Sequence, residues 1–140
     1  MNVVNLYTTQ LVGDMEEHTL KILIVEDHTA SKFILEDLLM DAKFKYDTAS
    51  NGTIALHLLK ENKYDVVLMD ILLPDINGID VVKSFRTFDS ETYVIAITAY
   101  ASQDMKQICL SSGFNDFMSK PFGIDNLLRK LKNINKSTTQ

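Results

Sequence analysis

Short apolar runs alternate with amphipathic segments along most of the chain. The runs are rich in Val, Ile and Leu and end at polar residues, which is typical of parallel strands covered on both faces. In the segments between them, apolar residues recur every three or four positions, which indicates helices with one buried side. The predicted strands are residues 21–25, 46–49, 66–69, 92–97 and 114–118, and the predicted helices begin near residues 29, 52, 78, 101 and 124.

The alternation of strands and helices predicts a fold. Connections long enough to hold a helix favour parallel neighbouring strands, with helices packed on both faces of the sheet. We therefore predict a doubly wound α/β domain with a five-stranded parallel sheet in the flavodoxin-like order 2-1-3-4-5. The pattern places this domain at residues 21–135, after an N-terminal tail or linker at residues 1–20 and before a C-terminal tail at residues 136–140.

The first helix carries two local predictions. Thr29 or Ser31 is expected to cap its N-terminus, because a hydroxyl oxygen there accepts a hydrogen bond from a free backbone N–H. The apolar side of this helix is expected to be buried on the sheet, and its members are Phe33, Ile34, Leu35, Leu38, Leu39 and Ala42.

Polar side chains follow four of the five predicted strands. Glu26 and Asp27 follow the first strand, Asp70 the third, Thr98 the fourth and Lys120 the fifth. The carboxyl ends of parallel strands share one edge of the sheet, and in open α/β folds ligands bind at that edge. We therefore expect these side chains to converge. Asp65 and Asp75 are interpreted as solvated or turn carboxylates outside this group.

Convergence of three carboxylates requires a counter-ion. Two like charges ~4 Å apart repel by roughly 4 kcal/mol at an effective dielectric constant of ~20. Oxygen ligands without a Cys or His pair favour a hard divalent cation, and Mg²⁺ is the default candidate. The same group of residues suits phosphoryl transfer to an Asp oxygen, because a metal, a Lys and a Thr hydroxyl stabilise charge on the phosphoryl oxygens.

Length, charge and cysteine content narrow the function classes. The 140 residues suffice for one domain with a sizeable core. A formal net charge of −5 weighs against direct binding to nucleic acid or to an anionic membrane surface. No apolar run approaches the ~18 residues that a membrane-spanning helix needs. Cys109 is the only cysteine, so no internal disulfide can form, and the cytoplasm is the expected location.

The residues at the strand ends give the chain a family resemblance. The ordered set is Glu26-Asp27, Met69-Asp70, Pro74, Gly78, Thr98-Ala99 and Lys120-Pro121. With this set, residues 21 to about 133 resemble the receiver domain of two-component response regulators. Each piece alone is common, whereas the combination in this order and spacing is specific.

The resemblance implies a chemical role for each residue of the site. Asp70 is the implied phosphoacceptor, and Lys120 is implied to contact both Asp70 and the phosphoryl group. The implied direct ligands of Mg²⁺ are Asp27, Asp70 and the backbone carbonyl of Leu72, with Glu26 assisting through water. Receivers often have Asp at the position of Glu26, and the extra methylene is expected to move this carboxylate outward.

The resemblance also implies partners and a switch. The phosphate donor is a histidine kinase or a histidine phosphotransfer domain, and the receiver catalyses its own phosphorylation. Thr98 then moves to the phosphoryl group while the ring of Phe117 becomes buried, although Phe117 lacks the hydroxyl of the Tyr often found there. A downstream protein partner is expected on the fourth helix, fifth strand and fifth helix, at residues 101–134. The chain is then a module that switches partner binding or relays phosphate, or a receiver fragment of a larger hybrid histidine kinase or regulator.

An enzyme is the less favoured interpretation. A Mg²⁺-dependent phosphatase of the haloacid-dehalogenase type also uses an aspartyl nucleophile at a strand end. That reaction needs a second Asp two residues after the nucleophile as general acid, and Leu72 occupies this position. A receiver that binds partners without phosphate is disfavoured by the intact set of Asp27, Asp70, Thr98 and Lys120.

Overall fold

A computed structural model describes residues 20–138 of the chain, with side chains as far as Ile134. The prediction of an N-terminal tail therefore falls almost entirely outside the described residues. The same holds for the last two residues of the predicted C-terminal tail. No helix within the described range is long and apolar enough to cross a lipid bilayer.

Five strands and five helices alternate along the chain. The strands are β1 (Lys21–Val25), β2 (Lys45–Ala49), β3 (Val66–Asp70), β4 (Tyr93–Thr98) and β5 (Asp116–Ser119). The helices are α1 (Thr29–Asp41), α2 (Gly52–Glu61), α3 (Gly78–Phe85), α4 (Gln103–Ser112) and α5 (Ile124–Thr138). The strands form one parallel sheet in the order β2-β1-β3-β4-β5, which confirms the predicted fold.

The core has two layers, one on each face of the sheet. Side chains alternate between the faces along a strand, so Ile22 and Ile24 of β1 pack under α1 and α5, while Leu23 and Val25 pack under α2, α3 and α4. Every residue of β3 is buried, as expected for the central strand of a sheet covered on both sides.

The side of α1 that was predicted to be buried includes residues that are exposed in the structure. Leu35, Leu38 and Leu39 are buried, whereas the side chains of Phe33 and Ile34 are 68% and 52% exposed. Successive helical residues are rotated by about 100°, so Phe33 lies on the side of the helix opposite Leu35. A helix resting on a sheet buries one stripe only, and two large apolar side chains therefore remain at the surface.

The predicted caps and ends of several elements also differ in detail. His28, and not Thr29 or Ser31, is the N-cap of α1, and its ring nitrogen accepts a hydrogen bond from Ser31 N at 3.3 Å. His28 still has extended backbone angles, whereas Thr29 is already helical. β5 begins at Asp116, two residues later than predicted, and α5 continues to Thr138, past the predicted domain end at residue 135.

Asp75 ties the loop after β3 to the start of α2. Its carboxylate accepts hydrogen bonds from Gly52 N at 2.8 Å, from Thr53 N at 3.0 Å and from the Thr53 hydroxyl at 2.6 Å. The Thr53 hydroxyl bond and the backbone bonds from Gly52, Thr53 and Ile76 together outweigh desolvation and hold the pKa of Asp75 far below its usual value. The interpretation as a turn carboxylate missed this role, because its partners lie 22 and 23 residues away in sequence.

We expect Asp75→Asn to destabilise the domain in a pH-dependent way. An amide offers one acceptor oxygen where the carboxylate uses two, so the variant should have a lower urea midpoint at pH 7. Because the folded-state pKa is depressed, the contribution of Asp75 is present above the unfolded pKa of about 3.9 and is lost as pH falls further. The difference in urea midpoint between wild type and Asp75→Asn should therefore become smaller below about pH 4.

Urea unfolding measured from pH 7 to acidic pH tests this expectation. Asp80→Asn is the matched control, because Asp80 is an exposed carboxylate in the first turn of α3. If the urea midpoints of Asp75→Asn and wild type differed by the same amount over the whole pH range, the charge-based explanation would be wrong.

Candidate functional site

The sheet register brings the predicted polar residues to one edge. Val25 of β1 is paired with Met69 of β3, so Glu26 lies beside Asp70 at the carboxyl ends of these strands. Asp70 is paired with Ile97, and Thr98 with Ser119, which places Lys120 next along the same edge.

Three carboxylates converge at this edge, as the sequence predicted. Glu26, Asp27 and Asp70 each have an oxygen within 4.8 Å of the others. Glu26 and Asp70 are 1% and 7% exposed, while Asp27 faces solvent. The interior dielectric constant is lower than that of water, so repulsion between these groups is strong and a cation at this place is strongly stabilised.

Lys120 supplies the positive charge of the site. Its ammonium donates to Glu26 Oε2 at 2.6 Å and to Asp70 Oδ2 at 3.2 Å. Burial lowers the pKa of Lys120, but the Glu26 bond and the Asp70 charge outweigh burial and raise it above its usual value. Lys120 is therefore firmly protonated at neutral pH.

Glu26 is not displaced outward, contrary to expectation. The extra methylene lets its carboxylate reach Lys120, and Glu26 Oε1 accepts a further hydrogen bond from His28 N at 3.1 Å. Burial raises the pKa of Glu26, and its hydrogen bond to Lys120 opposes that rise. The side chain is thus a buried partner of Lys120 rather than a solvent-facing one.

The backbone around Asp70 is held closely. Asp70 Oδ1 accepts a hydrogen bond from Leu72 N at 3.0 Å, which fixes the carboxylate toward the loop after β3. Gly78 begins α3 directly against this strand, and a Cβ atom built on it would lie 2.5 Å from the Asp70 carbonyl oxygen. The family resemblance pointed to Gly78, but this reason for a glycine is not visible in the sequence, because the contact exists only in the folded chain.

The two predicted switch residues lie next to the site on β4 and β5. Thr98 is 1% exposed, and its hydroxyl accepts a hydrogen bond from Tyr100 N at 3.1 Å. Phe117 is half-buried and packs against the core beneath α2, α3 and α4. The ring therefore lies between the core and the surface. Full burial of Phe117 would remove an aromatic side chain from the surface at β5.

The donor set fits a hard divalent cation. It consists of carboxylate oxygens, the ligands that Mg²⁺ prefers, and contains no Cys or His. Three carboxylates and one ammonium leave two negative charges, which a divalent cation would neutralise. Lys120 lies 2.6 Å from Glu26 but 3.2 Å from Asp70, so the oxygens of Asp27 and Asp70 are better suited to direct ligation than those of Glu26.

We expect Lys120→Gln to bind Mg²⁺ more tightly than wild type. The substitution removes a positive charge that lies 3.2 Å from an Asp70 carboxylate oxygen. At an effective dielectric constant of ~20, a unit charge ~5 Å from a divalent cation costs roughly 7 kcal/mol before screening, and solvent removes most of this. A gain of about tenfold in affinity is the expected result, measured by isothermal titration with MgCl₂. Lys130→Gln, which breaks an ion pair with Asp116 outside the site, is the control. Equal or weaker binding by Lys120→Gln would show that Lys120 does not oppose the cation.

Comparison with known proteins gives the family. Residues 22–132 match the family model described as the response regulator receiver domain. The probable transcriptional regulatory protein SilR of Salmonella typhimurium is 35% identical over 115 residues, which cover 82% of this chain and 50% of SilR. The chain spans about half the length of SilR and of the transcriptional regulatory protein CusR of Escherichia coli, and 13% of the sensor histidine kinase RcsC of Salmonella typhi.

Two solved structures are similar over most of the chain. One is the receiver domain of the response regulator Ssk1 of Saccharomyces cerevisiae, crystallised with the histidine phosphotransfer protein Ypd1. It has a TM-score of 0.82 and 30% identity, and covers 87% of this chain and 92% of that chain. The other is the receiver domain of the sensor histidine kinase PA1611 of Pseudomonas aeruginosa, which holds a magnesium ion in its active site cleft. It has a TM-score of 0.78 and 29% identity, and covers 84% of this chain and 98% of that chain. The match of residues 22–132, together with the fold and the cluster of strand-end carboxylates, establishes that this chain belongs to the response regulator receiver domain family.

Proposed function

We propose that this chain accepts a phosphoryl group on Asp70 from a phosphorylated histidine of a kinase or phosphotransfer protein. The observation that carries the proposal is the position of the Asp70 carboxylate. It lies 3.2 Å from the Lys120 ammonium and within 4.8 Å of two other carboxylates, at the ligand-binding edge of the sheet. Family membership supports the same assignment.

The reaction is a displacement at phosphorus. A carboxylate oxygen of Asp70 attacks, an O–P bond forms, the P–N bond of the phosphohistidine breaks, and the histidine nitrogen takes up a proton. Mg²⁺, held by Asp27, Asp70 and the carbonyl of Leu72 with Glu26 nearby, would neutralise charge on the phosphoryl oxygens. Lys120 keeps its proton and stabilises both Asp70 and the incoming group. Thr98 would rotate toward Asp70 and donate a hydrogen bond from its hydroxyl to a phosphoryl oxygen.

An apolar surface on α1 and the start of α5 supports a docking place for the donor. Phe33, Ile34 and Ile124 are 68%, 52% and 50% exposed. Ile34 and Ile124 line a groove of about 350 Å³ together with Pro121 and Lys120. Because Lys120 also holds Asp70, a partner seated in this groove is next to the phosphoacceptor. The Ssk1 receiver, similar in fold, is seen with a histidine phosphotransfer protein, and a partner of that class fits here.

We expect Ile34→Ala to slow transfer from a phosphohistidine protein without affecting small phosphodonors, because Ile34 lines the groove. Loss of an apolar anchor at an interface costs about 1 kcal/mol or more, so transfer from a protein such as phosphorylated Ypd1 should fall at least about fivefold in kcat/KM. Ile54→Ala is the control, since Ile54 is an exposed apolar side chain on α2, away from the groove. If the rate with a small phosphodonor fell equally, the effect would lie in the site and not in docking.

The downstream partner and the setting follow from the same proposal. We assign Thr98 and Phe117 as the switch and the surface of α4, β5 and α5 as the output face. Two observations support this: Thr98 accepts a hydrogen bond from the loop before α4, and Phe117 is a half-buried ring on β5. The similar PA1611 receiver is part of a sensor histidine kinase, which supports a receiver fragment of a hybrid kinase or regulator as an alternative setting. The donor kinase draws on ATP, so we place the domain in the cytoplasm.

The direct test uses intact mass. The chain is incubated with Mg²⁺ and acetyl phosphate, and the proposal expects the mass of one phosphoryl group to be added in a Mg²⁺-dependent way. Steady release of phosphate from a generic phosphate ester, with no phosphorylated protein detected, would favour the phosphatase instead. That outcome is disfavoured because Leu72 has no acid group to protonate a leaving alkoxide.

A further inference from the structure

The two edges of the sheet differ in how their backbone groups are protected. β2 and β5 are the outer strands among the described residues. Lys120 N, just after β5, donates to Thr98 O, so alternate residues face β4 and the N–H of Phe117 points outward. That N–H donates to the Asp116 carboxylate at 2.7 Å, and Lys130 donates to the same carboxylate at 2.6 Å. A charged pair therefore protects the β5 edge against a further strand.

The β2 edge has no such pair within the described part of the chain. Lys45 N donates to Leu20 O, so Lys45 and every second residue after it face β1. The backbone N–H and C=O groups of Tyr46 and Thr48 consequently point away from β1, and the described residues include no strand on that side. A row of outward backbone groups is a template for pairing with another strand.

Apolar side chains beside β2 are incompletely buried. Phe44 and Tyr46 lie on the α1 side of the sheet and are only half-buried against the core. Met40, in the last turn of α1, is 59% exposed. Phe44 N donates to Leu39 O at 2.9 Å, which places this turn directly before β2. Apolar area is thus available to stabilise a strand that pairs at this edge.

The charges on β2 complement a second copy of the same strand. Lys45 is exposed, and the side chain of Asp47, on the same face of the sheet, is 43% exposed. Asp47 Oδ2 accepts a hydrogen bond from the Tyr64 hydroxyl at 2.7 Å and lies 3.9 Å from Lys21 Nζ. Both contacts use Oδ2, so Oδ1 can accept a lysine from another molecule.

Three symmetric antiparallel registers place a two-fold axis in the middle of β2. With the axis at Asp47, two Asp47 carboxylates would lie opposite each other and repel. With the axis at Thr48, Asp47 would lie opposite Ala49 and gain no charge partner. With the axis at Tyr46, Lys45 of each copy lies opposite Asp47 of the other, at the closely spaced positions between hydrogen-bonded pairs. We propose that this chain forms a dimer by antiparallel pairing of β2 with the axis at Tyr46.

The dimer joins two five-stranded sheets into one and leaves the candidate site open. Two-fold symmetry makes each contact twice, so the interface contains two Lys45–Asp47 pairs. β1 lies between β2 and β3, so Asp70 takes no part in the interface. The dimer is therefore independent of the proposed phosphoryl chemistry, and each can be tested without the other.

Amide exchange of the full chain, measured by NMR at low and at high protein concentration, tests whether β2 pairs. The N–H groups of Tyr46 and Thr48 are bonded to the second copy in the dimer, so their exchange should slow at least about tenfold at high concentration. The amides of Asp47 and Ala49 face β1 and should be protected equally at both concentrations. Rapid exchange of Tyr46 and Thr48 at both concentrations would overturn the proposal. Slow exchange at both, in a chain that sediments as a monomer, would also overturn it, because the edge would then be covered within one copy.

Charge exchange tests the register. Lys45→Glu and Asp47→Lys each place like charges opposite each other, so each variant alone should dimerise at least about tenfold more weakly than wild type in sedimentation equilibrium. An equimolar mixture of the two should recover the dimer, because each introduced charge then meets its opposite. Lys106→Glu makes the same change in net charge on an exposed position of α4 and should dimerise as wild type does.

Two results would show that the register is wrong. One is dimerisation of Lys45→Glu as tight as that of wild type, and the other is a mixture of the two folded variants that stays monomeric. Asp47→Lys also loses the hydrogen bond from Tyr64. If it does not fold, the comparison of Lys45→Glu with Lys106→Glu still decides the register.

Discussion

Asp70→Asn is expected to abolish phosphoryl uptake from acetyl phosphate. The amide nitrogen is not a nucleophile toward phosphorus, and the remaining carboxylates at Glu26 and Asp27 are respectively bound to Lys120 and exposed. The intact mass of the variant should remain that of the unmodified chain under conditions in which wild type gains one phosphoryl group. We expect the loss to be complete, because the substitution removes the carboxylate that accepts the phosphoryl group.

The same substitution should change the response of stability to Mg²⁺. Wild type at a Mg²⁺ concentration ten times its Kd should gain about 1.4 kcal/mol of unfolding free energy, and the variant should gain much less. Without Mg²⁺, Asp70→Asn should be at least as stable as wild type, since one negative charge leaves a cluster of three. Asp80→Asn provides the matched control for both measurements. Full phosphorylation of Asp70→Asn would place the acceptor elsewhere.

Gly78→Ala is expected to be strongly destabilising and to damage the site. The added Cβ atom would lie 2.5 Å from the Asp70 carbonyl oxygen and 2.9 Å from Ile71 Cα, and both are backbone atoms. Backbone cannot move aside as the end of a flexible side chain can, so the start of α3 and the end of β3 must separate. Ala gains about 1 kcal/mol in helix propensity, but overpacking costs more, and we expect a net loss of about 2–3 kcal/mol in unfolding free energy.

Thermal unfolding and Mg²⁺ titration measure the two consequences. The midpoint should fall by roughly 8–12 °C, and Mg²⁺ affinity should fall because the Asp70 carboxylate moves with its backbone. Gly123→Ala is the control, since its Cβ atom would meet only Asn126 Cβ, at 3.9 Å. If Gly78→Ala and Gly123→Ala had the same unfolding midpoint and the same Mg²⁺ affinity, the site would not depend on the close packing of α3 on β3.

Sequence patterns were sufficient for the fold and for the positions of the site residues. The apolar runs located each strand to within two residues, because a strand buried on both faces has little choice of side chain. The strand-end rule then placed Glu26, Asp70, Thr98 and Lys120 at one edge, because parallel strands all finish on the same side. Patterns were weaker for α1, where Phe33 and Ile34 are apolar yet exposed. Periodicity alone cannot separate an apolar residue of the core from one that stays exposed.

The sequence by itself therefore determined the order of the elements and the gathering of the carboxylates at one sheet edge, because these depend on residue types at fixed spacings along β-strands. Only the tertiary structure decided which groups pair within the cluster, that Asp75 binds the start of α2, 22 residues before it, and that Arg86 binds the carbonyl at the end of α4. Such contacts depend on distances of a few ångströms between segments far apart in sequence. No local pattern encodes those distances, and they are set when the two helical layers close on the sheet.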